Sequence, residues 1–155
     1  MRQLLISFVS ALLLTATLSA SAATGRVVKV LPQYLDLKGR HSLSPSLYDR
    51  DAYQAQLRQH PEQVSALRFV VLWRGQTAGG GTLKLRAELR GTAKGNLPSE
   101  TTLVTDVKVS AVLASHWTSL TLGGEDYTKF GEVTAWRVTL WDGDQLVAEQ
   151  KSFLW

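Results

Sequence analysis

Between residues 83 and 90 apolar and charged side chains alternate without a break: Leu83, Leu85, Ala87 and Leu89 are separated by Lys84, Arg86, Glu88 and Arg90. An α-helix returns a side chain to one face about every 3.6 residues, so a strict period of two cannot give a helix with a dry side. The segment is expected to be a strand with one face on a core and the other in water. Such a strand needs a second layer to cover its dry face, and the same period recurs over most of the chain beyond residue 64.

Residues 64–74 (VSALRFVVLWR) have a continuous apolar centre, which suits a strand covered on both faces. QTAGGGT follows as a surface loop, and the Thr, Val and Leu content of residues 101–109 and 117–122 marks two more strands. Gly123-Gly124 breaks the pattern, and EDYTKFGE is long enough for one helical turn. The clearest local signal is VTAWRVTLW, then Asp142-Gly143, then DQLVAEQKSFLW: an Asp-Gly pair between two β-rich runs predicts a hairpin with a type I′ turn. At the other end, RVVKVLPQYLDL is interrupted by Pro32, which has no N–H for a ladder, and is expected to be a kinked edge strand. DRDAYQAQLRQH has Tyr53 and Leu57 four apart, Ser46 or Asp49 placed to cap the start, and His60-Pro61 to end it. This short helix is expected to lie as a lid across an open end of the fold.

About seven strands are thus expected, over residues 26–37, 64–74, 82–90, 101–109, 116–122, 133–141 and 145–154, with one short helix between the first two. The fold class is all-β. The strand number, the turn spacing and the closing hairpin together resemble an immunoglobulin-like or fibronectin type III sandwich over the chain beyond residue 22. The resemblance implies a seven-stranded antiparallel immunoglobulin-like sandwich, and it transfers no catalytic residue. The closing run AWRVTLWDGDQLVAEQKSFLW also resembles the ends of uncharacterised exported proteins of environmental bacteria, which again implies no activity.

Arg2, the apolar stretch from Leu4 to Leu18 and the small residues Ala20 and Ala22 read as a signal peptide over residues 1–22, cut after Ala22 or Ala23. Residues 23–155 are then expected to form a single β-sandwich domain in the periplasm or outside the cell, with no membrane span in the mature chain. The sequence has no cysteine, so packing and backbone pairing must supply its stability, and thiol catalysis and a lipid-modified cysteine are excluded. Loss of Arg2 with the leader lowers the net charge from +4 to about +3. The cations alternate with carboxylates and form no run, so no nucleic-acid partner is expected.

Catalytic and metal motifs fare poorly. His41, His60 and His116 show no metal-ligand spacing, and His60 reads as a helix C-terminus. The acid pairs at Asp49 and Asp51, Glu125 and Asp126, and Asp142 and Asp144 read as solvated turns and helix ends, with no cleft expected for glycoside hydrolysis and too few ligands for calcium. The triple glycine at 79–81 lacks the Lys and Ser or Thr of a phosphate loop. Aromatics are more informative. Trp136 shares the apolar face of its strand with Val138 and Leu140, whereas Trp141 falls on the mixed face beside the turn. Phe153 and Trp155 either close the sandwich end or offer an apolar edge to another chain. Candidate binding residues are therefore Trp141, Phe153 and Trp155, with no catalytic or metal residue and no cofactor. The expectation is an exported non-enzymatic module that contacts a protein of the cell envelope or another copy of itself. A carbohydrate-binding sandwich using exposed Trp is the alternative, and a hydrolase assembled from distant residues is a third reading.

Overall fold

The computed structural model describes residues 23–155; the expected leader, residues 1–22, lies outside them. Strands β1 (Thr24–Asp36), β2 (Val64–Gln76), β3 (Gly81–Ala93), β4 (Leu97–Val109), β5 (Ala114–Gly123), β6 (Glu132–Asp142) and β7 (Gln145–Lys151) are joined by helices α1 (Leu47–Gln59), after β1, and α2 (Gly124–Phe130), before β6. All strand pairs are antiparallel, in two sheets ordered β1-β2-β5 and β4-β3-β6-β7. The chain is all-β in class, with a sandwich-like arrangement of the sheets around one core.

That core follows from the alternation. Phe69, Val71 and Trp73 of β2 meet Leu83, Leu85 and Leu89 of β3 and Val138 and Leu140 of β6, all with at most 1 % of their surface exposed. Burying each such side chain stabilises the fold by about 1.5–3 kcal/mol. The polar edge of Trp73 is not stranded there: its indole N–H donates to Thr118 Oγ1 at 2.9 Å, and its ring stacks on His116 at 4.8 Å between centroids. Trp136 packs against the core, edge-on to Phe69 at 6.4 Å.

Several local expectations change. β2 is covered on one face only, because Val70 and Leu72 on the other side remain partly exposed. β1 is an edge strand, but Pro32 sits in register opposite Phe69, and the register slips fall at Val27/Lys29 and Leu35/Asp36. An edge strand can turn a missing N–H away from its neighbour, so proline need not bend it. The last hairpin pairs Asp142 with Gln145. Of the two residues between them, only Gly143 has positive φ, +56°, which is the pattern of a type II′ turn and not of type I′. β7 ends at Lys151, short of the expected residue 154.

Helix α1 begins as read, with Ser46 Oγ accepting from Asp49 N at 3.4 Å, and closes on His60, whose N–H reaches the Gln56 and Leu57 carbonyls. It is tied to the free edge of β1. Gln54 acts as a substitute strand there: its Oε1 accepts from Tyr34 N at 2.8 Å, and its Nε2 donates to the carbonyls of Tyr34 at 2.9 Å and His41 at 2.8 Å. Next to it Tyr53 Oη donates to Asp36 Oδ2 at 2.7 Å.

Candidate binding surface

Two places in the fold gather chemistry. One is the outer, water-facing side of the β4-β3-β6-β7 sheet. The alternation of β3 sends Lys84, Arg86, Glu88 and Arg90 to that side, and β6 places Trp141, Thr139 and Arg137 opposite Lys84, Arg86 and Glu88. Beyond β7 Ser152 runs on beside the start of β6, and the chain then turns through residues 152–155. Ser152 N donates to the Trp136 carbonyl at 2.9 Å, Trp136 N donates to Ser152 Oγ at 3.0 Å, and Trp155 N donates to the Ser152 carbonyl at 3.2 Å.

This turn carries Trp155 onto the sheet. The Arg90 guanidinium lies 4.2 Å from the Trp155 ring centre and that of Arg137 lies 5.1 Å away. Arg137 is itself fixed by Glu88, Nε to Oε2 at 2.5 Å, and this hydrogen bond pushes its pKa further up, so it stays a cation. Arg90 also meets Glu100 at 3.2 Å. Together Glu88, Arg90, Glu100, Arg137 and Trp155 line a shallow depression of about 250 Å³. At the hairpin end of the same face Arg86 stands 5.3 Å over Trp141, whose indole N–H donates to Thr139 Oγ1 at 2.8 Å. Arg86 Nε is buried without a hydrogen-bond partner. Each stacked guanidinium contributes about 0.5–1 kcal/mol at such half-exposed sites, and together they hold both indoles in defined orientations.

The three residues singled out from sequence therefore separate. Trp141 and Trp155 share one face of one sheet. Phe153 follows the end of β7 and stands with 100 % of its surface exposed, beside an exposed Leu154. The strand expected to run to residue 154 stops at Lys151, so Phe153 and Trp155 are not strand residues and the chain turns through them.

The second place is a cleft of about 650 Å³ at one end of the fold, which the sequence reading did not anticipate. Leu57 of α1 and Leu67 of β2 form an apolar floor, Tyr34 of β1 and Tyr127 of α2 flank it, and Arg58 and Glu132 stand at its rim. Burial pushes the phenol pKa of both Tyr34 and Tyr127 up, so both remain neutral hydrogen-bonding groups. Helix α1 thus walls this opening without closing it as a lid. Its lining comes from β1, α1, the short turn of helix at Pro61–Gln63, β2, α2 and β6, so no local motif could have marked it. The histidines do not converge on either place: His41 Nδ1 lies 3.1 Å from Arg68 Nη2, His60 Nδ1 lies 3.1 Å from Glu62 Oε1, and His116 is stacked on Trp73. Among the described residues no group of three or more His, Asp or Glu is placed to hold a metal ion, and no helix is long and apolar enough to cross a membrane.

Compared with protein families, with curated proteins and with solved structures, the chain matches none.

Proposed function

We propose that the chain is an exported, non-enzymatic binding module whose contact surface is the outer face of the β4-β3-β6-β7 sheet together with residues 152–155. The observation that carries this reading is the fully exposed Phe153 next to Trp155, whose ring is clamped by Arg90 and Arg137. Scattered apolar residues on a surface are ordinary. Tryptophan and arginine held rigid at a depression, with a free phenylalanine beside them, have the composition of protein–protein hot spots. Side chains already held in place lose less entropy on binding. Export to the periplasm or beyond rests on the leader pattern of residues 1–22. The architecture reads as fibronectin type III-like rather than constant-type immunoglobulin, since the fourth strand lies beside the third and not in the β1-β2-β5 sheet.

Affinity capture from a cell-envelope extract tests the reading, with the protein run beside a Phe153→Ser, Trp155→Ser variant of equal fold. The expected result is an envelope protein retained by the first and lost by the second. Equal retention by both, or none by either, sinks it.

A second reading, carbohydrate binding through Trp141, is favoured by one feature. Arg86 stacks on that indole, so an acidic sugar laid against Trp141 would meet a guanidinium already held beside it. Quenching of tryptophan fluorescence by an acidic glycan, absent in Trp141→Ala, decides for this reading; no quenching in either protein removes it.

A further inference from the structure

β4 is paired with β3 along its whole length, from Gly81 opposite Val109 to Ala93 opposite Leu97, and among the described residues its other edge carries no strand. Natural sheets blunt such edges with short strands, bulges, prolines, inward-pointing charges or exposed charged side chains; β4 carries the last of these, Glu100, Asp106 and Lys108. Here the edge strand is 13 residues long and runs without a register slip, and its proline, Pro98, stands at the very start. Beyond it, residues 99–109 are rich in Thr and Val. Their outward side chains are Glu100, Thr102, Val104, Asp106 and Lys108, all exposed, with Val104 at 50 % in the middle.

We propose that β4 pairs with β4 of a second copy, antiparallel about a two-fold axis at Val104, joining the two four-stranded sheets into one. Directly opposite residues of an antiparallel pair lie on the same face, so the axis fixes every partner. On the outer face Val104 meets Val104 of the other copy, Thr102 meets Asp106, and Glu100 meets Lys108, the last contact formed twice by symmetry. On the inner face Leu103 meets Thr105 and Thr101 meets Val107. Charge selects this register. An axis at Leu103 sets Glu100 against Asp106, and one at Thr105 leaves Glu100 and Lys108 facing no opposite charge. Lys108 has no ion pair among the described residues. Glu100 is exposed and meets Arg90 through one oxygen, at 3.2 Å. The axis is perpendicular to the sheet, so both outer faces, with Trp141 and Trp155, stand on the same side of the dimer. The pairing runs along the β4 edge, but Glu100 also lines the depression beneath Trp155, so Lys108→Glu, whose residue lies outside that depression, tests the pairing apart from the proposed contact surface.

Sedimentation of the protein expressed from its full 155-residue sequence tests the pairing. The expected result is a concentration-dependent dimer that Glu100→Lys and Lys108→Glu each weaken by at least about tenfold, since each change turns two attractions into two repulsions. An equimolar mixture of the two single variants is expected to associate again, because every lysine then faces a glutamate, and the double variant is expected to dimerise by itself. Circular dichroism checks that each variant keeps its fold. A protein that stays monomeric at all concentrations overturns the proposal, as does a mixture that fails to associate or a pair of single variants that dimerise like the parent.

Discussion

Asp36 shows how much one residue can organise. It is 5 % exposed at the end of β1. Burial alone would raise its pKa, but it is opposed by hydrogen bonds from the N–H groups of Arg40 and Lys38, the Arg40 side chain and the Tyr53 hydroxyl, which together hold the carboxyl well below the usual carboxylate range. A group whose pKa falls on folding adds stability above its unfolded value, and that stability is lost as the pH drops through and below it. Asp36→Asn is therefore expected to lower stability by about 2–3 kcal/mol at pH 7, with the gap to the parent narrowing below about pH 4 in urea unfolding. Gly91 is constrained by space. A Cβ there would fall on the Glu132 carbonyl and within 2.5 Å of the Phe130 ring, at the register slip between β3 and β6. Gly91→Ala is expected to cost about 2–3 kcal/mol, read as a lower urea midpoint with an unchanged slope.

Among the elements, α1 is held by polar contacts more than by apolar area, since Leu57 is its one buried residue. Gln54 satisfies both backbone groups of Tyr34, and Tyr53 reaches Asp36 from the same helix. Gln54→Ala is expected to expose the Tyr34 amide to hydrogen exchange while the Phe69 amide in the central strand keeps its protection. Equal loss at both would mean that α1 supports the whole sheet and not one edge. The helix itself was readable from its cap and its Tyr53-Leu57 spacing. Its docking was not, because Gln54 and Tyr34 are 20 residues apart and a glutamine on an exposed helix carries no mark of its partner.

For the whole molecule, the decisive feature is that both sheets draw on one core. Trp73 and Phe69 from one meet Leu85 and Val138 from the other. Trp73→Ala is expected to remove about 3–5 kcal/mol, leaving a cavity and an unused Thr118 hydroxyl. The two sheets are expected to unfold together, so that far-ultraviolet dichroism and tryptophan fluorescence give coincident melting curves for parent and variant; separate transitions would show that the sheets are independently stable.

The sequence by itself determined the period-two strands, the final hairpin, the edge position of β1, both helices and the outward placement of Trp141, because each depends on neighbours a few residues away. Tertiary structure alone decided which strands outside the final hairpin became partners, that Gln54 would complete the edge of β1, and that Trp155 would fold back beneath Arg90 and Arg137. It also decided that a cleft would open between α1 and α2. Those outcomes rest on contacts between distant segments, where loop closure and the competition among many similar β-rich runs set the result, and no local period encodes which run wins.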